Sequence, residues 1–391
     1  MISGEPVCIK DLEKIAEHVM PGGAWGYYAS GANDEQTRRE NEEAFDAYRL
    51  HPRVLRDVSK ISTETTILGQ KTKTPLGIAP CAMHKLAHPL GEAATSRAAA
   101  QHGSVMILST YSTTSMEKVI AQGDGSTQYW LQLYVYEQRS VSETLVRRAE
   151  RAGFKAIVLT VDAPVLGRRL VDARNRFNPP PHLRLENFMD PDVANSTYAP
   201  DQPLSVNETF GATFGANGDQ TLSWANGISW LKRITSLPII VKGILTAEDT
   251  QLAISHGCAG VIVSNHGGRQ LDGSLSTIDA LAQVVQAAGD KLEVYMDGGI
   301  RKGTDIFKAL ALGARAVFVA RPVLWGLAYK GEEGVLHALG LLQSELELAM
   351  MLAGTTCLAE IDESYVYQPA NRWVRYAPSR NGEPRRLVAK L

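Results

Sequence analysis

From residue 74 onward, short β-branched runs alternate with stretches whose apolar residues recur every three or four positions. That alternation is the sequence form of repeated βα units around a parallel sheet. The strand-like runs are Pro75–Pro80, Val105–Thr110, Gln128–Val135, Ala156–Asp162, Pro238–Gly243, Gly260–His266, Leu292–Asp297 and Ala316–Ala320. Between them the spacing predicts helices over Val141–Ala152, Ala247–His256, Ile278–Ala288, Thr304–Leu312 and Val335–Leu352. Thr246 reads as a helix N-cap with Asp249 in the first turn, and Gly153, Gly257 and Gly313 sit where helices should stop. Eight βα units in about 250 residues suit a (β/α)8 TIM barrel, an α/β fold. A doubly wound sheet is the second choice, because no G-x-G-x-x-G follows the first strand.

One barrel accounts for 391 residues better than two domains do. The expected organisation is a single domain over 1–391. It has a helical cap at 1–73, a barrel at 74–354 and a tail at 355–391. Residues 165–228 form a Pro/Asn/Gly/Thr-rich excursion after strand four, and its place at the C-terminal end of a strand suits a lid. Composition narrows the partners. A formal charge of −2 gives no net field toward nucleic acid or an anionic membrane, and no basic, aromatic-interleaved patch appears. No uncharged stretch has membrane-spanning length, and the N-terminus is charged where a leader would be apolar. The four cysteines, Cys8, Cys81, Cys258 and Cys357, lack the spacing of a disulfide framework or zinc ribbon. His84 and His88 have the spacing of two helical ligands but no H-E-x-x-H around them, so no metal site is expected. Trp224, Trp230 and Trp325 read as packing residues. The last residues, Ala389-Lys390-Leu391, resemble a peroxisomal address.

In a barrel the reacting groups belong at the C-terminal ends of strands. Every run here ends on a polar candidate: Cys81; Ser109; Gln132 and Tyr134; Thr160 and Asp162; Lys242; Ser264, His266 and Arg269; Asp297 with Arg301; and Arg321. Singly, each has an ordinary structural role open to it, as a loop cap, a satisfied histidine or a snorkelling arginine. Their convergence on one rim favours function.

The stretch Ser264-Asn-His-Gly-Gly-Arg-Gln-Leu-Asp272 is the most specific in the chain. With Tyr27-Tyr28-Ala-Ser-Gly31, Ile78-Ala-Pro80, Gln132-Leu-Tyr134, Leu159-Thr-Val-Asp162, Gly167-Arg-Arg169, Val241-Lys-Gly243 and Asp297-Gly-Gly-Ile-Arg301, it resembles the FMN-dependent L-2-hydroxy-acid oxidase/dehydrogenase family. The resemblance implies FMN as cofactor, a small 2-hydroxy acid and dioxygen as reactants, and a homotetramer or octamer.

The same resemblance implies roles for individual residues. His266 would be the base, held by Asp162. Arg269, Arg169, Tyr27 and Tyr134 would clamp the substrate carboxylate, with Tyr111 against its tail. Lys242 would stabilise charge on the flavin ring. Ser109, Gln132, Thr160 and Ser264 would bond the flavin's polar edge, beside Ala79, Pro80 and Ala82. Asp297 would hold ribityl hydroxyls. The phosphate would rest near Gly298, Gly299 and Ala320, with Arg301 and Arg321 neutralising it. Three positions depart from the oxidase pattern: Cys81 for threonine, Ala320 for glycine, and Tyr111 for tryptophan. The smaller ring at Tyr111 leaves room for a longer substrate tail. Ala82 agrees with the oxidases, so oxygen is the expected acceptor; a quinone or cytochrome is the alternative.

Overall fold

The computed structural model describes residues 4–189 and 218–368, together with the backbone of the two-residue strands Tyr376–Ala377 and Arg385–Arg386. Residues 190–217 of the expected excursion, and the terminal Ala389-Lys390-Leu391, lie outside the described residues.

Eight parallel strands close into a barrel. They are β1 (Leu76–Ile78), β2 (Met106–Leu108), β3 (Tyr129–Leu133), β4 (Ala156–Thr160), β5 (Ile239–Ile244), β6 (Gly260–Val263), β7 (Glu293–Asp297) and β8 (Ala316–Val319). Each pairs with its sequence neighbour, and Val317 opposite Leu76 joins β8 back to β1. All eight runs marked in the sequence are therefore strands. They are near-continuous apolar runs because both faces are buried, as a parallel sheet under helices requires. Alternate residues point inward, where Ile107, Trp130, Val158, Ile240, Ile262, Tyr295 and Phe318 fill the barrel. The Trp130 ring lies 5.5 Å from both Tyr295 and Phe318. The hairpin Thr65–Ile67/Gln70–Thr72 packs Ile67 into this interior, and Leu68 N donates to Glu293 Oε2 at the start of β7.

Four of the five expected helices are present within a residue or two, the fifth lies inside a longer helix, and Thr246 caps its helix by accepting from Asp249 N at 3.1 Å. The helix Gly91–His102 between β1 and β2 went unmarked in the sequence. It is alanine-rich and buried along most of its length, so no polar stripe reveals its period.

The helix after β8 runs from Arg321 to Ala353, starting well before the predicted Val335. It is long and apolar enough by composition to cross a membrane. It instead breaks at Lys330 and Gly331 and buries Leu324, Trp325, Val335, Leu339, Leu342 and Leu346 against the protein, as a core helix does. Its two arms meet at Gly326 and Gly334. A Cβ on Gly334 would lie 1.9 Å from the Gly326 carbonyl oxygen, and one on Gly326 2.2 Å from that of Gly334.

The N-terminal residues are stitched to the loop after β6. Asn41 and Asn265 exchange amide bonds at 2.8 and 2.7 Å. Asp272 accepts from Asp34 N and Thr37 N, and Ala32 N donates to Gly268 O. Gly334→Ala should therefore destabilise the fold by about 1–3 kcal/mol, the usual cost of forcing atoms into a packed contact. A lower urea midpoint at unchanged slope checks this; an unmoved midpoint refutes the backbone contact.

Candidate active site

A cavity of about 770 Å³ opens at the C-terminal ends of the strands. Nearly all of the sequence-predicted residues line it: Tyr27, Ala79, Pro80, Ala82, Ser109, Tyr111, Gln132, Tyr134, Thr160, Arg169, Lys242, His266, Arg269, Asp297, Gly298, Gly299, Arg301, Ala320 and Arg321. Asp162 and Ser264 do not line it; they stand behind His266 and Lys242 and act through them.

His266 lies beyond the end of β6, which stops at Val263, shorter than the predicted run. It opens a tight turn at φ +59°, a left-handed conformation uncommon for a side-chain-bearing residue and frequent at functional sites. Its backbone N donates to Ser264 Oγ at 3.1 Å, and Asn265 Oδ1 accepts from Gly268 N. These bonds hold the turn. The ring Nδ1 meets Asp162 Oδ1 at 2.9 Å. A carboxylate can only accept, so Nδ1 carries the proton and Nε2 keeps the lone pair that a base needs. Burial pulls the His266 pKa below its ordinary value, only partly offset by Asp162. Burial pushes the Asp162 carboxyl up, but His266 and Lys242 together bring it below the usual carboxylate value. The pair is thus neutral imidazole on carboxylate.

Beside it runs a second polar chain. Lys242 Nζ donates to Ser264 Oγ at 2.8 Å and lies 3.2 Å from Asp297 Oδ2, while Ser264 Oγ donates to Asp297 Oδ1 at 2.6 Å. Burial alone would lower Lys242, but Asp297 and Asp162 reverse this and raise it, so a cation is fixed at the cavity wall. Asp297, expected on a ribityl chain, has its carboxylate engaged with Lys242 and Ser264.

On the opposite side, Gln132 Oε1 accepts from Thr110 N at 3.2 Å and lies 3.5 Å from Ser109 Oγ. Gln132 Nε2 and Thr160 Oγ1 are buried with no hydrogen-bond partner among the described residues. Polar atoms left so at a cavity wall fit a ligand with a polar, hydrogen-bonding edge, such as a flavin.

Two guanidiniums, Arg169 buried and Arg269 half-buried, line the cavity. Arg169 lies beside Arg269; burial and that like charge push it down to about 10. Arg269 donates to the Tyr27 and Ser30 carbonyls and stands 4.9 Å over the Tyr27 ring. Neither has a salt bridge among the described residues, which suits an incoming carboxylate. Burial raises the Tyr27 and Tyr134 phenols, keeping them as donors. Tyr111 stacks 5.4 Å from Tyr134 and 5.9 Å from Phe188.

At the β7–β8 end, Gly298 and Gly299 adopt φ +97° and +77°, and a Cβ on Gly299 would meet the Asn41 carbonyl oxygen at 1.9 Å. Arg321 donates to the Tyr28, Gly267 and Ser30 carbonyls, and burial with neighbouring arginines pushes it down to about 9. An anion there would relieve that repulsion. Arg301, expected on the phosphate, is held by Glu42 at 2.9 Å.

Several contributors escaped the sequence reading. Tyr28 donates to Met83 O at 2.7 Å and fixes the loop carrying Ala82. Glu92, fully buried, accepts from His84 N, Thr113 N and Thr114 Oγ1, joining the loops after β1 and β2. Nothing local marks such long-range partners. The thiol of Cys81, pushed up to about 11 by burial, lines the cavity as an uncharged group. His84 is buried with Nδ1 2.9 Å from Thr95 Oγ1.

Comparison with known proteins agrees with this geometry. Glycolate oxidase 1 of Zea mays is 52% identical over 94% of this chain and 98% of its own. 2-Hydroxyacid oxidase 1 of Homo sapiens is 46% identical over 92% and 96%. Among solved structures, mandelate oxidase with (S)-4-hydroxymandelic acid superposes with a TM-score of 0.84 at 39% identity, covering 93% of this chain and 98% of that one. Residues 16–368 match the FMN-dependent dehydrogenase family, and the chain belongs to it.

Proposed function

We propose that this protein oxidises a small L-2-hydroxy acid to the 2-oxo acid, with dioxygen as the final acceptor. The observation that carries the reading is His266, backed by Asp162, sharing one cavity with Arg169 and Arg269, which form no salt bridge among the described residues and have Asp172 as a carboxylate nearby. FMN, the family's cofactor, would supply the two-electron chemistry that couples oxidation of the acid to reduction of dioxygen to hydrogen peroxide.

The residues divide the remaining work. Gln132 Nε2 and Thr160 Oγ1 would bond the ring edge, Lys242 would offset charge on it, and Gly298, Gly299 and Arg321 would take the phosphate end. Arg169 and Arg269 would bind the substrate carboxylate, with the Tyr27 and Tyr134 phenols donating beside them. That clamp turns the 2-carbon toward His266, whose Nε2 takes a proton while Asp162 stabilises the resulting cation. Tyr111 would meet the substrate tail.

Oxygen as acceptor is supported by the oxidase names of relatives near half identity, and by Ala82 at the cavity wall. A homotetramer or octamer and a peroxisomal location belong to the same reading. A fluorescent protein bearing the terminal Ala389-Lys390-Leu391 segment would report the latter as puncta, and a diffuse signal would refute it.

Anaerobic mixing with a panel of 2-hydroxy acids tests the reaction. The acids should bleach the flavin, and readmitted air should restore it with one hydrogen peroxide per 2-oxo acid. Much faster reoxidation by a quinone than by air would make the protein a dehydrogenase.

His266→Gln should retain FMN yet slow flavin reduction by about 10²–10⁴-fold, the usual worth of a general base. Near-normal reduction would remove His266 from the chemistry. In the wild type the base must be neutral, and its pKa is lowered. kcat/KM should therefore hold as pH falls through the ordinary histidine value of about 6.5 and decline only below it. An acid limb above that value would contradict the assignment.

A further inference from the structure

We propose that Gln270 is a positioning residue that locks the two active-site loops together, an inference resting on the reaction proposed above. Asp162 lies past the end of β4 and His266 past the end of β6, and β5 separates those strands. The strand ladder therefore does not fix the 2.9 Å bond between them. Something beyond the ladder has to.

Gln270 follows Arg269 and is 9% exposed. Its Nε2 donates to Asp162 O at 3.0 Å and to Val165 O at 2.9 Å. Its Oε1 accepts from Gly167 N at 3.0 Å and stands 3.5 Å from an Arg169 terminal nitrogen. All four contacts reach the loop 162–169, whose first and last residues are the histidine's partner and a clamp arginine. Two carbonyls need donors, while an amide N–H and a guanidinium need acceptors. A primary amide offers both on one planar group, and asparagine is a methylene too short to reach. The backbones also touch here: a Cβ on Gly167 would lie 2.4 Å from Arg269 O and 2.7 Å from the Gln270 Cα. One side chain thus braces both the acid behind the base and, together with the Arg169 Nε bond to Arg269 O at 3.3 Å, half of the carboxylate clamp.

The test uses FMN-loaded enzyme and anaerobic flavin reduction by the acid that bleaches the wild type fastest. Oxalate binding, read from the flavin spectrum, gives a second readout independent of turnover. Gln270→Ala should slow reduction by about 10–100-fold, the scale of a misplaced catalytic group. Gln270→Glu keeps the volume but turns acceptors on two carbonyls and sets a charge beside Arg169. It should weaken oxalate binding on the order of tenfold. In an Asp162→Ala background the further rate loss from Gln270→Ala should shrink to within about threefold, while the oxalate loss from Gln270→Glu, carried by Arg169, persists. A merely structural role would lower rates equally in both backgrounds. Melting temperatures identify folded variants, and Gln270→Glu carries the test if Gln270→Ala does not fold. Rate and oxalate affinity near wild type in either folded variant, or equal rate losses with and without Asp162, overturn the proposal. A wild type bleached by no 2-hydroxy acid overturns the reading of the reaction, and this inference with it.

Discussion

Closure of the β-ladder is the constraint on which everything else rests. Hydrogen bonding between β8 and β1 removes the last open sheet edge and leaves all eight strands tilted the same way around one axis. Groups as far apart in sequence as Ala79, Lys242 and Arg321 then face one cavity. The interior is filled by aromatic and branched side chains, so that rim is the face on which a ligand can sit.

The rim concentrates buried positive charge. Lys242 is answered by Asp297, while Asp162 accepts from the neutral His266 ring. Burial and neighbouring arginines push Arg169 and Arg321 down, only partly offset by Asp172 and Glu42 respectively. Under the proposed function, the substrate carboxylate and the cofactor phosphate supply the balance. Binding energy of this kind is available because the cost of burying the cations is already met in the folded state.

Precision comes from contacts between loops rather than from the strands. The Asn41–Asn265 amide pair, Arg321 reaching the Tyr28 and Ser30 carbonyls, and Gln270 reaching Asp162 each tie segments that the ladder leaves free. The N-terminal segment is consequently part of the site's support: Tyr27 lines the cavity, and Asn41 holds the turn that presents His266.

The sequence by itself determined the fold class and most of the site. A doubly buried strand must read as an apolar run of fixed length, and polar residues ending such runs have to face the rim. His266, Lys242, Arg269 and Arg321 were legible for that reason, and the Ser264–Asp272 stretch gave the family. Its limits were physical too. Strand ends ran long at Asp162 and His266 because side-chain pattern continues where backbone pairing stops. The helix Gly91–His102 was invisible because burial around most of its surface erases amphipathic period. Only tertiary structure decided that Asp162 and Ser264 stand behind the cavity wall, that Arg301 is held by Glu42, and that Gln270 and Glu92 brace the loops. Those roles depend on which atoms meet between separate loops, from 8 residues apart for Glu92 and His84 to 259 for Arg301 and Glu42, and such a hydrogen bond leaves no periodic mark along the chain.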